Sequence, residues 1–350
     1  MIPFQMFLFL VIVMCSPLHA LINLEERAQE LVLESKQIFL EEYPDAFNPS
    51  IIRWNGSLLL SFRVIPDPNY IFTSHIGLVW LDENFSPIGS PQLLNTQTET
   101  SLLHSIIPSR AEDARLIEVG NRLYLVYSDN KNLLITRGGF RVYIAEVKYD
   151  GVNFTIHNCQ CLDQFEGESW LKREKNWVPF DYHEQLMLAY SLNPHLILRP
   201  SMVNGTCKTV SSTSNEIKWE WGDLRGGTSG VLEGNEYLSF FHSSIDMPSV
   251  QSNGKIISHY FMGAYTFSSE PPFNITQVSV DPIIGKGFYS GKEYKPYWKP
   301  IKAIFPCGFI SDENHIWLAY GKQDHEIWIT KLDKSALFKS LIKVESVGDR

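Results

Sequence analysis

Five segments of this chain repeat one form: a polar or charged knot, a short apolar strand, a tight turn, then an apolar-aromatic strand that closes on another polar residue. They are NPSIIRWNGSLLLSFR from Asn48, EDARLIEVGNRLYLVYSD from Glu112, KNWVPFDYHEQLMLAYSLNPH from Lys175, RGGTSGVLEGNEYLSFFHSS from Arg225 and FPCGFISDENHIWLAYGKQD from Phe305. Their turns fall near Gly56, Gly120, Glu184, Gly234 and Asn314, steps of 64, 64, 50 and 80 residues, so one unit recurs with loops of variable length. A lone hairpin cannot bury both faces, and such units must stack on one another. The 330 residues after position 20 allow about 66 per unit, enough for a four-stranded propeller blade and its loops. The pattern predicts an all-β fold, a five-bladed β-propeller whose first strands line a central channel. A β-sandwich competes, but it offers no reason for every hairpin to carry charge at one end.

Around this repeat we expect three divisions of the chain. Residues 1–20 read as a signal peptide, with an apolar run from Met6 to Met14, a Ser16-Pro17 break and a small residue at Ala20. The run is short for a membrane span. No Lys or Arg precedes it, so an uncleaved anchor is the alternative. Residues 21–47 form a lead-in, read as a helix from Leu24 to Tyr43 on the capping pattern of Asn23 with Glu26 and the spacing of Leu24, Ala28, Leu31, Ser35 and Ile38. Residues 48–350 form the propeller, closed by a short C-terminal helix from Lys334 to Val344. A rim loop over 285–300, with Tyr294, Tyr297 and Trp298, is read as packing or stacking on a ligand.

A leader places the mature protein outside the cytosol, in a secreted, periplasmic or secretory-lumen setting, with no stable membrane association. Sequons at Asn55, Asn84, Asn153, Asn204 and Asn274 suit a glycoprotein, Asn84 being weakened by Pro87. Four cysteines follow the leader, Cys159, Cys161, Cys207 and Cys307, an even number that permits two disulfides. Cys159-x-Cys161 lacks partners at zinc spacing, and we expect no metal. The formal net charge of −9 speaks against nucleic acid as partner.

Gathered in one channel, the knots supply Arg63, Asp113, Arg115, Lys175, Asn176, Arg225, His242 and Asp324. A carboxylate in a mostly cationic setting binds an anion and holds one acid beside a reacting bond. Five of these have a plainer reading: Arg115 as an ion-pair partner of Glu112 or Asp113, Lys175 and Arg225 as solvated edge charges, His242 as a core histidine, Asp113 as a turn residue.

At these residues the sequence resembles glycoside hydrolase family 130, the five-bladed mannoside phosphorylases and their hydrolytic relatives. Glu112-Asp113-Ala114-Arg115 is similar to the family's Glu-Asp-Pro-Arg signature, Lys175-Asn176 with Pro179-Phe180 to its third-blade motif, and Gly226-Gly227-Thr228 through Phe241-His242 to its fourth. Phe305-Pro306-Cys307-Gly308 through Tyr320-Gly321 and Asp324 resembles the fifth, normally Phe-Pro-Thr-Gly and Tyr-Gly-x-x-Asp. The resemblance implies inverting cleavage of a β-mannosidic bond in an oligosaccharide, with Asp113 as proton donor by way of a sugar hydroxyl. It further implies inorganic phosphate as co-substrate, held by Arg63, Lys175 and His242, no cofactor, and mannose 1-phosphate as product. Ala114 replaces the usual Pro. A further phosphate-binding Arg has Arg141 and Arg173 as candidates. For a hydrolase of the same fold, Glu112, Glu174 and Asp324 are the acids to consider as general base. The remaining alternatives are a mannosyltransferase, a non-catalytic glycan-binding propeller, and an arabinanase-like or fructosidase-like hydrolase, which would need a carboxylate where this chain has Asn48-Pro49-Ser50; oligomeric state is not legible.

Overall fold

Runs such as Leu58–Phe62, Leu123–Tyr127 and Leu186–Ala189 are buried on both faces, and each becomes the second strand of a four-stranded antiparallel sheet. The computed structural model describes residues 21–67, 73–96, 109–130, 139–168, 172–291 and 299–345. The leader and the aromatic residues Tyr294, Tyr297 and Trp298 lie outside these.

The architecture is the five-bladed propeller. Blade one holds β2 (Phe47–Trp54), β3 (Ser57–Val64), β4 (His75–Leu81) and β5 (Pro87–Leu93), and blade two holds β6 (Glu112–Val119), β7 (Arg122–Asp129), β8 (Arg141–Tyr149) and β9 (Phe154–Leu162). Blade three comprises β10 (Val178–Tyr182), β11 (Gln185–Leu192), β12 (His195–Pro200) and β13 (Cys207–Thr213). In blade four the inner strand is split into β14 (Arg225–Gly226) and β15 (Val231–Glu233), followed by β16 (Glu236–Met247), β17 (Ile257–Ser268) and β18 (Ile275–Val278). Blade five runs β19 (Ile301–Ser311), β20 (His315–Lys322), β21 (Glu326–Asp333), with β1 (Val32–Ile38) as its outer strand. Blades four and five are further joined by parallel pairing of Ser258–Tyr260 with Ile301–Ala303. Cores form between neighbouring blades: Leu59 and Leu78 of blade one pack in one cluster with Leu116, Leu125 and Ala145 of blade two.

The lead-in corrects the expectation of a helix over Leu24–Tyr43. Asn23 does cap a turn, its side chain accepting from Glu25 N at 3.2 Å, but the turn is a 3-10 helix of four residues, Leu24–Arg27. Beyond it β1 pairs antiparallel with β21, from Val32 opposite Leu332 to Ile38 opposite Ile327. Without β1 the fifth blade would have three strands and an open edge, and covering that edge outweighs a local preference worth a few tenths of a kcal/mol per residue. The helical spacing was therefore misleading: Leu33 and Phe39 stand exposed while Leu31 and Ile38 are buried. At the other end α1 (Lys334–Ser340) is capped by Asp333 Oδ1, which accepts from Ala336 N at 2.8 Å. It stops short of Val344, because Ile342–Lys343 pairs with blade four as β22.

Among the described residues no helix is long and apolar enough to cross a membrane. Among the described residues Cys159, Cys161, Cys207 and Cys307 form no disulfide. Asn55, Asn84, Asn153 and Asn204 are exposed and Asn274 is half-buried.

Candidate active site

One irregularity, shared by the inner strands of blades one and two, builds much of the site. In β2, Phe47 pairs with Arg63 and Ser50 with Ser61, so Asn48-Pro49 bulges out of the ladder. In β6, Glu112 pairs with Ser128 and Arg115 with Val126, and Asp113-Ala114 bulges in the same way. Asn48 (φ 49°) and Asp113 (φ 54°) adopt the left-handed region at these bulges, and Asn176 (φ 64°) does so just before β10. Asn and Asp are the residues with side chains that tolerate it best. The bulge breaks the strict alternation of side chains, so a polar group is re-aimed without moving the core strand. Glycine makes room for these groups: a Cβ on Gly226 would lie 2.1 Å from the Asn176 carbonyl, and one on Gly321 2.0 Å from Asn48 Oδ1.

Asp113 Oδ1 accepts from Asn48 Nδ2 at 2.8 Å and from Arg63 Nη1 at 3.4 Å. Burial alone would raise its carboxyl, but Arg63, Lys175 and Arg115 outweigh that and hold it below the ordinary carboxylate value. Beside it Glu112, 3% exposed, takes Arg63 Nη2 at 2.8 Å and Arg110 Nε at 3.2 Å on Oε1, and Lys175 Nζ on Oε2. Lys175, Arg173 and Arg110 all surround the Phe140 ring, their charged groups 3.5, 5.1 and 5.3 Å from its centroid. Burial lowers the pKa of both Lys175 and Arg110 despite the facing carboxylates.

Arg115 does not pair with a carboxylate. Its guanidinium donates to the Gly227 carbonyl at 2.6 Å, the Asp113 carbonyl at 2.6 Å and Asn176 Oδ1 at 3.1 Å. At 1% exposure it ties blade two to blades three and four. His242 is also buried; Nδ1 lies 2.9 Å from the Gly226 carbonyl and the ring is near-parallel to Tyr260. Burial and the nearby Arg115 and Arg225 push its pKa down to about 3. The imidazole is neutral, and donation from Nδ1 to the carbonyl, assigned from that contact, leaves Nε2 as an acceptor. Arg225, opposite His242 in the ladder, is exposed. Asp324 (φ 55°), in the turn between β20 and β21, is half-buried. Its pKa is pushed up to about 6 by burial, with Arg63 opposing and Asp113 and Glu112 adding to the rise.

The structure thus brings Arg63, Glu112, Asp113, Arg115, Lys175 and Asn176 into direct contact, and seats His242, Arg225 and Asp324 within their electrostatic reach. Glu174 is apart: buried, it accepts from Tyr190 OH at 3.3 Å inside blade three. Arg141 is likewise tied down, donating to the Phe140 and Lys172 carbonyls and to Glu168. Sequence reading missed Asn48 and Arg110. Asn48 sits at the bulge position of its own knot and could have been found by aligning the knots; Arg110 precedes its knot and carried no signal. Among the described residues no cluster suited to a metal ion is found. A cavity of about 940 Å³ opens at the other end of the inner strands, against Ile51, Leu116, Asp181, Leu232 and Phe309, and none of the eight knot residues lines it.

A family model described as beta-1,4-mannooligosaccharide phosphorylase matches residues 19–342. No curated protein matches the sequence. Among solved structures, a mannose phosphorylase from Leishmania mexicana in complex with phosphate ion superposes with a TM-score of 0.59 at 12% identity, covering 93% of this chain and 94% of the other. A beta-1,2-mannobiose phosphorylase from Listeria innocua gives 0.54 at 13% identity, over 87% and 92%. A glycosyl hydrolase from Bacteroides ovatus gives 0.57 at 14% identity, over 87% of each. At such identities these likenesses establish the shared fold.

Proposed function

The chain belongs to glycoside hydrolase family 130, and from that premise we propose that it is a β-mannoside phosphorylase, cleaving a β-mannosidic bond with inversion to give mannose 1-phosphate. The observation that carries this reading is the gathering of cations beside the acid. Arg63, Arg110 and Lys175 converge on Glu112 and Asp113, and the exposed Arg173 joins Arg110 and Lys175 around Phe140. Cations held together in this way favour an anion among them. Phosphate dianion supplies two negative charges and oxygens for Arg forks.

Arg63, Lys175 and Arg115 hold Asp113 ionised against the effect of burial, and phosphate resolves how it becomes an acid. An incoming dianion draws on the Arg63 and Lys175 charge that keeps Asp113 deprotonated, so its proton affinity rises as phosphate seats. The proton balance closes: hydrogen phosphate gives up its proton, the leaving sugar oxygen receives one through Asp113, and a phosphate oxygen takes the anomeric carbon from the opposite face. His242 Nε2, an acceptor, suits the phosphate hydroxyl rather than an oxyanion. Cations fixed in place before reaction stabilise the attacking group without reorganisation.

Hydrolysis is the second reading, favoured by one observation: Asp324, with its pKa near 6, is a carboxylate poised to accept a proton from water. Glu112 has both of its oxygens engaged by cations. We further propose that the protein acts in the secretory pathway or beyond it, on the leader at residues 1–20 and the four exposed sequons. Incubation with β-1,2- and β-1,4-mannobiose, with and without inorganic phosphate, tests the main reading. Mannose 1-phosphate formed only with phosphate supports it; free mannose released equally without phosphate overturns it in favour of hydrolysis.

A further inference from the structure

We propose that Glu112 is the resident counter-anion of the site, a positioning residue that sets how tightly phosphate binds by competing for the same cations. This rests on the phosphorylase reading and adds to it a residue whose role is to limit affinity.

The geometry separates Glu112 from its neighbour. Both of its oxygens are occupied by cations, and the three cations come from three places: Arg63 from β3 in blade one, Arg110 from the segment before β6, and Lys175 from the segment before β10. Asp113 takes only the longer of the two Arg63 contacts, 3.4 Å against 2.8 Å. The cations of blades one to three are thus drawn together on Glu112. It stands where a bound anion would otherwise have to stand.

Two consequences follow from charge alone. First, phosphate can reach Arg63 and Lys175 only by sharing them with Glu112 or taking them from it, so part of its binding energy is spent on that exchange. Second, Glu112 cancels one unit of the positive charge that Arg63, Arg110 and Lys175 present together, and its removal raises the charge facing phosphate by one. Removing the acid should therefore tighten binding of phosphate and of the sugar phosphate product alike. Product would leave more slowly, and Glu112 gives a site that releases what it makes.

The direction of the effect makes the test sharp, since damage to the site would weaken phosphate binding. Phosphate affinity of the full chain is measured by calorimetry for wild type and Glu112→Gln, with steady-state kinetics on a β-mannobiose alongside. We expect Glu112→Gln to bind phosphate about tenfold tighter or more, with a lower KM for phosphate, a lower kcat and an unchanged KM for the mannoside. Because the variant leaves buried cations uncompensated, the comparison is repeated in an Arg110→Gln background, where one cation fewer needs the acid. There the double variant should bind phosphate more tightly than Arg110→Gln alone. Equal or weaker binding on losing Glu112, in a wild type that does bind phosphate, overturns the inference. If wild type binds none and Glu112→Gln does, the inference stands and the phosphorylase reading falls; if neither binds, both fall.

Discussion

The side-chain amide of Asn48 donates a 2.8 Å hydrogen bond to Asp113 Oδ1, so the left-handed residue at the bulge of blade one holds its counterpart at the bulge of blade two. Both sit at the same bulge of their inner strands, and the contact crosses the seam between blades. One conformational device, used twice, thus delivers an acid and the donor that orients it.

Replacing Asn48 by Gly keeps a residue at ease at φ 49° and removes that donor. The bond favours the ionised carboxylate, so its loss should raise the pKa of Asp113. A hydrogen bond to a charged group contributes roughly 1.5–3 kcal/mol, and about one pH unit is the expected upward move of the limb of kcat/KM that reports Asp113. A pH–rate profile that superposes on wild type would show that Asn48 does not act on the acid.

Asp113→Asn preserves shape and tolerance of φ 54° while abolishing proton transfer. Turnover of an unactivated mannoside should fall by about 10²–10⁴-fold, with thermal stability near wild type. Retained turnover would remove Asp113 from the role of acid.

Arg115→Lys should unfold more readily, because one ammonium cannot span Gly227 O, Asp113 O and Asn176 Oδ1 as the guanidinium does. Two buried acceptors left unmet cost about 1–3 kcal/mol each. For a protein of this size a drop in Tm of several degrees follows, read by calorimetry.

Asp324→Asn should raise stability at neutral pH. The folded-state pKa of Asp324, about 6, lies above its ordinary value, so the folded state binds more protons than the unfolded one between the two. Its contribution is present below about pH 4 and lost as pH rises through 6. The variant escapes that loss, and we expect a gain on the order of 1–2 kcal/mol at pH 7 that disappears at pH 4, with weaker activity. Denaturant unfolding at the two pH values checks it; an equal effect at both would mean that ionisation of Asp324 is not its cause.

The five knots already marked most of the residues that meet at Asp113, because hairpins of one pattern place their first residues at one end of a common channel. What the knots could not reveal was pairing. Arg115 looked like a partner for Glu112 and instead spans three blades through carbonyls; Glu112 serves three cations that are separated from it by 49, 2 and 63 positions. Such choices depend on distances across the ring, and neighbours in sequence say little about them.

Local pattern by itself determined the β class, the number of blades and the polar ends of their inner strands, since each follows from side-chain period and turn chemistry within one hairpin. Tertiary structure decided the rest. The segment Val32–Ile38 became a strand because the fifth blade had an edge to cover, Arg110 joined the site because Phe140 and Glu112 lay beside it, and Asp113 was held ionised because three cations from blades one, two and three surround it. Burial and electrostatics act through space, and only the closed ring puts these groups within reach of one another.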